Sequence, residues 1–279
     1  MDSNSMLSTG FSDTWQVAPG VVGLRTLFVN VALAGTPDNE WVLVDAGLGL
    51  FAGTIRKTAE KHFRKPPQAI ILTHGHFDHV GALKELLEEW KVPVYAHPLE
   101  LPYLTGEADY LPADPSVGGG LMAEAAPLYP HRGIDLGSTV HPLPTDGTVP
   151  GAEGWRWIHT PGHSPGHVSL FRDSDRTLIA GDAFITVKQE SALAVMQQER
   201  EIHGPPMYFT PDWEAARASV ATLAGLEPLA AITGHGAPMR GEELRERLGV
   251  LSDRFVEMAV PQQGKYVDRG PDDIRRQGQ

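Results

Sequence analysis

Thr73-His74-Gly75-His76-Phe77-Asp78-His79 follows the short apolar run Gln68-Ala69-Ile70-Ile71-Leu72 and precedes a stretch with helical spacing from Gly81 to Trp90. A run of that length, rich in branched residues, reads as a strand buried on both faces. The histidine-rich segment is therefore the turn between a strand and a helix. His74 and His76 leave the strand end two residues apart and point to the same side, and the turn lets Asp78 and His79 face the same cavity. Neutral imidazoles and a carboxylate at this spacing are metal ligands of the kind that suit zinc or iron, with manganese also suited.

Working outward, three more polar residues stand beside glycine at predicted strand ends. His163 lies in Thr160-Pro161-Gly162-His163-Ser164-Pro165-Gly166-His167, Asp182 follows Ala180-Gly181, and His235 sits between Gly234 and Gly236. Strands are read at Gly20 to Ala34 and Trp41 to Val44, and a helix at Phe51 to Phe63. A further strand at Val92 to Ala96 leads into an irregular Pro- and Gly-rich stretch, residues 98–137, read as a pocket-lining insertion. Strands recur near Thr139 to Leu143, Trp155 to Thr160, His167 to Arg172, Arg176 to Ala180 and Leu229 to Thr233. Thr210-Pro211-Asp212 reads as a cap at Thr210 with Pro in the first helical position, and a last helix spans Gly241 to about Val260. The expected organisation is a tail over 1–15, one domain over 16–262 and a polar tail over 263–279.

The 279 residues carry 23 Lys and Arg against 35 Asp and Glu, a formal charge of −12. That balance offers no electrostatic footprint for a polyanion, so no nucleic-acid partner is expected. Cysteine is absent, which excludes disulfides, thiolate ligands and a cysteine nucleophile. The first residues lack a basic region followed by an apolar one, and the most apolar stretch is interrupted by Arg25 and Asn30. Neither a secretion signal nor a membrane span is read, and a cytoplasmic location is expected. A small-molecule substrate is the expected partner, with self-association left open.

The ordered set His-x-His-x-Asp-His, then His, Asp and His, resembles the metallo-β-lactamase-fold hydrolase superfamily, over about Val21 to Val260. The resemblance implies an α/β fold, a four-layer αββα sandwich with two divalent metal ions, zinc first, in a cleft at one edge of the sheets. It implies that His74, His76 and His163 hold one metal, that Asp78, His79 and His235 hold the other, and that Asp182 bridges them. Val44-Asp45-Ala46-Gly47 matches a further motif of the family and suggests Asp45 as the acceptor that orients a ligand imidazole. The implied chemistry is attack of a metal-bridging hydroxide on a carbonyl, with Asp78 as the group that exchanges between ligation and proton transfer.

Among branches, the site is most similar to glyoxalase II and lactonases: cysteine-using β-lactamases carry Cys where Asp182 stands, and the histidine-only ones lack a bridging carboxylate. Many lactonases carry Tyr three positions after that Asp, where this chain has Ile185; Tyr208 or another loop tyrosine would have to substitute. A lactone or thioester is the expected substrate. The competing expectations are a phosphodiesterase or nuclease of the same fold and a mononuclear-iron sulfur dioxygenase. His167 is read as orienting support or packing, and His97 and His203 as residues flanking the loops that could line the pocket. Tyr103, Tyr110, Leu121, Met122 and Tyr129 of the insertion are read as substrate contacts or satellite packing. Arg240 would meet an anionic substrate group or simply face solvent.

Overall fold

The computed structural model describes residues 12–35, 40–117, 125–187 and 201–267. Strands β1 (Thr14–Ala18), β2 (Val21–Thr26), β3 (Val29–Gly35), β4 (Trp41–Val44), β5 (Ala69–Ile71), β6 (Val94–Ala96) and β7 (Val140–Pro142) lie side by side in that order as one sheet. β1 to β4 are antiparallel, and β4 to β7 run parallel. The second sheet has the order β12-β11-β10-β9-β8, from β8 (Trp155–His159), β9 (Val168–Arg172), β10 (Thr177–Ile179), β11 (Ala230–Ile232) and β12 (Met239–Arg240). Within it only β10 and β11 are parallel.

Side-chain alternation along the strands builds the layers. In the first sheet Val22, Leu24, Val31, Leu33, Leu43 and Ile70 point outward, where they pack with Ile55 of α1 (Ala52–His62) and with Leu83 and Leu86 of α3 (Leu83–Trp90); the short helices α2 (Phe77–Val80) and α4 (Leu101–Leu104) precede and follow α3 in sequence. Their neighbours Val21, Ala32, Val42, Val44 and Ile71 point inward and meet Val168, Leu170, Ile179 and Ile232 of the second sheet. The outer face of that sheet, with Phe171, Leu178 and Ala231, is covered by Val220 and Leu223 of α5 (Trp213–Gly225) and Leu244, Leu248 and Leu251 of α6 (Gly241–Asp253). Three apolar layers between four of structure make the fold an αββα sandwich. Because both faces of each sheet are buried, central strands such as β4 and β5 read as continuous apolar runs in the sequence.

Several local expectations give way. A strand begins at Thr14, inside the segment expected as tail; β1 exists by pairing with β2, which its own mixed sequence does not announce. Helix α5 is capped by Asp212, whose carboxylate accepts from Ala215 N at 2.9 Å. Thr210 is extended instead, and its hydroxyl donates to Pro206 O at 2.8 Å, so the helix starts later than the Thr-Pro pair suggests. The last helix breaks after Asp253 and resumes as Phe255–Met258. Tyr266, within the expected polar tail, is buried and donates to Pro112 O. Among the described residues no helix is long and apolar enough to cross a membrane.

Candidate metal centre

Every one of the seven residues expected to bind metal stands at or just beyond a strand end on one edge of the sandwich. The chain leaves β5 through Leu72 and Thr73 into His74, and leaves β10 through Ala180 and Gly181 into Asp182. It leaves β11 through Thr233 and Gly234 into His235, and His163 lies in the loop between β8 and β9. Carboxyl ends of parallel strands are where open α/β sheets present ligands, because the chain must turn there. Asn30 of β3 ties the two sheets together at this edge, with its Nδ2 donating to Thr233 O at 2.9 Å and to Gly236 O at 2.7 Å.

All seven side chains are buried. Ligand atoms converge in three groups within 4.8 Å: His74, His76 and His163; His74, His79 and Asp182; and Asp78, His79 and His235. Asp182 Oδ2 is central, at 3.2 Å from His235 Nε2, 3.4 Å from His163 Nε2 and 3.6 Å from His79 Nε2. Asp78 Oδ2 lies 3.6 Å from His235 Nε2, and His76 Nδ1 lies 2.9 Å from His163 Nε2. A tetrahedral site with bonds of about 2.0–2.1 Å has edges of roughly 3.4 Å, which the separations around Asp182 and Asp78 match. His74 Nε2, His79 Nε2 and Asp182 Oδ1 are buried without a hydrogen-bond partner. Buried polar atoms are rarely left so, and three in one cluster fit a cation as the missing partner.

The outward nitrogens of His74, His79, His163 and His235 are committed elsewhere, which leaves the inward one of each to face the cluster. Asp45 accepts from Thr73 N, from Thr73 Oγ1 and from His79 Nδ1, each at 2.8 Å. Having donated to Asp45, Thr73 Oγ1 accepts from His74 Nδ1 at 3.0 Å. Thr210 Oγ1, having donated to Pro206, accepts from His163 Nδ1 at 3.2 Å. His235 Nδ1 donates to Phe28 O at 2.8 Å. Asp45 reaches Thr73 and His79 from a left-handed backbone conformation (φ 62°), a shape that aspartate tolerates better than most residues.

Burial, together with the neighbouring imidazoles, holds His74 and His163 well below the usual histidine range, and burial pushes His76 down to about 3. These rings are neutral donors. Burial opposes charge on His79 and His235 too, but Asp182 beside them holds His79 well above the ordinary value and raises His235. Burial raises Asp78. A proton on His79 and a cation beside Asp182 therefore compete for one place.

Above the cluster the recess is walled by Phe28, Phe77, Tyr129, Pro206, Tyr208 and Phe209, with no Lys or Arg among the described residues that line it. Tyr129 of the insertion is there, whereas Tyr110 packs its ring against His76 and Tyr103 stacks on Tyr110. Leu121 and Met122 lie outside the described residues. His97 does not line the recess: it stacks on His159 at 4.1 Å. His203 pairs with Glu201, and Arg240 is exposed on β12. His167 is buried behind Asp182 and accepts from its backbone N at 2.8 Å. Sequence reasoning did not single out Asn30, Glu100, Thr160 or Thr210. Thr160 and Thr210 stand in motifs quoted for other reasons, while Asn30 carried a signal only as a polar break in an apolar run.

A family model described as "Metallo-beta-lactamase superfamily" matches residues 24–235. Probable metallo-hydrolase YflN of Bacillus subtilis is 52% identical over 245 residues, 86% of this chain and 93% of that protein. The protein TTHA1623, solved in a di-iron-bound form, superposes with a TM-score of 0.51 at 27% identity, covering 80% of this chain and 92% of its own. The B3 metallo-beta-lactamase BLEG-1 has the same fold, with a TM-score of 0.54 at 22% identity over 92% of this chain and all of its own.

Proposed function

The chain belongs to the metallo-beta-lactamase superfamily and is a metal-dependent hydrolase, and on that premise we propose a dinuclear enzyme that cleaves small, uncharged carbonyl esters, lactones ahead of thioesters. The observation that carries the reading is Asp182, whose Oδ2 stands within 3.6 Å of three imidazoles belonging to both halves of the cluster. In this reading His74, His76 and His163 hold one ion, Asp78, His79 and His235 the other, and Asp182 lies between them. Divalent ions held there supply Lewis acidity toward a carbonyl oxygen and lower the pKa of water. Zinc is the proposed metal; the nitrogen and oxygen donors suit iron as well, which TTHA1623 carries as a pair.

The protein's own groups do the rest. Asp78, which burial raises and which faces the aromatic recess, exchanges between ligation and proton transfer: it takes up the proton that the attacking water gives off and passes it to the departing alkoxide or thiolate. Phe28, Phe77, Tyr129 and Phe209 keep water from the reacting bond and receive the apolar part of the substrate. Beyond the ions themselves, no Lys or Arg among the described residues of the recess wall pairs with the carboxylates of a glutathione-type thioester or with a second phosphate charge, which places uncharged lactones first. The test is a panel of lactones, neutral thioesters, glutathione thioesters and phosphodiesters, run on wild type and Asp78→Asn. Lactone turnover that Asp78→Asn abolishes while retaining metal is expected. Oxygen consumption with persulfide substrates, or phosphodiester cleavage alone, would replace the reading.

A further inference from the structure

Beside the metal cluster, and not among the residues that line the recess, lies a buried carboxylate that none of the proposed ligation uses. Glu100 ends the helical turn Pro98–Glu100 that follows β6, and it is fully buried. Its partners are four hydrogen-bond donors from three separate segments. Oε1 accepts from Ser164 Oγ at 2.7 Å and from Gly166 N at 2.8 Å. Oε2 accepts from Gly75 N at 3.1 Å and from Tyr110 OH. Gly75 N also lies 2.9 Å from the Tyr110 oxygen, and the Tyr110 ring packs against His76 with centroids 4.4 Å apart.

The arrangement is a clamp between two ligand-bearing loops. Gly75 is the residue between His74 and His76, while Ser164 and Gly166 belong to the loop of His163. One oxygen of Glu100 holds each loop. Both glycines are shaped to it: a Cβ on Gly75 would stand 2.6 Å from the Tyr110 oxygen, and one on Gly166 would stand 2.8 Å from Glu100 Cγ. Charge-assisted bonds to backbone N–H groups are short and directional, so they fix loop position more firmly than apolar packing at the same place.

We infer that Glu100, with Tyr110, is a positioning residue that sets the spacing of His74 and His76 relative to His163 and so tunes the affinity of the metal site these three form. The inference rests on the metal-centre reading above. Glu100 makes no bond to the residues around His79 or His235, which Asp45 and Phe28 O orient instead, with Asp45 also bracing His74 through Thr73.

Glu100→Gln keeps the volume but turns an NH2 toward donors on one side, which releases one loop. Tyr110→Phe removes a single donor and leaves the carboxylate. Both are compared with wild type by chelator competition for zinc, by the visible absorption of the cobalt(II) form, and by thermal unfolding after chelator treatment. In Glu100→Gln one of two zinc equivalents is expected to weaken by about 10–100-fold, with an altered cobalt spectrum and the other equivalent unchanged. Tyr110→Phe is expected to move the same way by less. Wild-type affinities and spectra in both variants would overturn the inference, and so would equal weakening of both equivalents in step with lost thermal stability. If Glu100→Gln does not fold, Tyr110→Phe and Ser164→Ala decide by the same readouts. A wild type that takes up no metal overturns the metal-centre reading together with this inference.

Discussion

The Nε2 atom of His167 accepts a hydrogen bond from the backbone N–H of Asp182 at 2.8 Å, and this contact fixes the carboxylate on which the cluster centres. With Nε2 accepting, Nδ1 carries the proton and donates to Thr160 Oγ1 at 2.9 Å. The hydroxyl passes the chain on to Ser169 Oγ at 3.0 Å, which donates to Ala180 O at 2.8 Å. His167→Ala leaves the Asp182 N–H unpaired in a buried place and is predicted to weaken metal binding by about 10–100-fold. His167→Gln, which can both accept and donate, is expected to recover part of it. Metal titration of the two variants checks this; wild-type affinity in His167→Ala would contradict it.

Acidification provides a second prediction. Burial holds His76 and His167 down to about 3 in the folded protein, whereas an exposed imidazole in the unfolded chain titrates near 6.5. Between these values the unfolded chain binds protons that the folded one refuses, so stability falls as the pH drops from 6.5 toward 3, by about 1 kcal/mol per pH unit for each group. His79 acts in a different window: its raised value contributes stability present below 6.5 that is lost as the pH rises through the folded value. Denaturant unfolding of the chelator-treated protein at pH 6.5, 5.5 and 4.5 should show the acid loss, with a shallower slope in His167→Gln. A flat profile would contradict it.

Gly234 sits where no side chain fits. A Cβ there would stand 1.9 Å from Asp182 Oδ1 and 2.9 Å from His79 Cε1. Gly234→Ala is predicted to displace the central carboxylate and lower metal content sharply, while costing the metal-free fold only about 1–3 kcal/mol. Elemental analysis beside urea unfolding separates the two effects, and unchanged metal content would count against the central position given to Asp182.

Much of the site was readable in advance because ligand chemistry is local: His74 to His79 share one turn, and His163, Asp182 and His235 each follow or precede a glycine at a strand end. The sandwich was readable from apolar runs such as Ala69 to Leu72, buried on both faces. What escaped depends on partners distant in sequence. Nothing near Glu100 announces that Gly75 and Gly166 will meet it, and Thr210 resembles a helix cap until His163 and Pro206 engage its hydroxyl. β1 is likewise defined by its pairing with β2, not by its own pattern.

The aromatic recess gives a prediction about selectivity. Phe77 stands beside Tyr129 at 5.6 Å between ring centroids, and both face the recess. Phe77→Ala removes apolar contact without touching a ligand imidazole, so KM for a long-chain lactone should rise about tenfold or more with kcat much less affected. Steady-state kinetics on short- and long-chain lactones test it; a fall confined to kcat would place Phe77 elsewhere in the mechanism.

The most direct test is metal stoichiometry by elemental analysis of protein purified without added metal, followed by stepwise zinc reconstitution of the chelator-treated form. Six donors arranged around Asp182 predict two ions per chain, with the second lost selectively in Asp78→Ala or His235→Ala. One ion at saturation in the wild type, unaffected by either substitution, would contradict the paired centre on which the account depends.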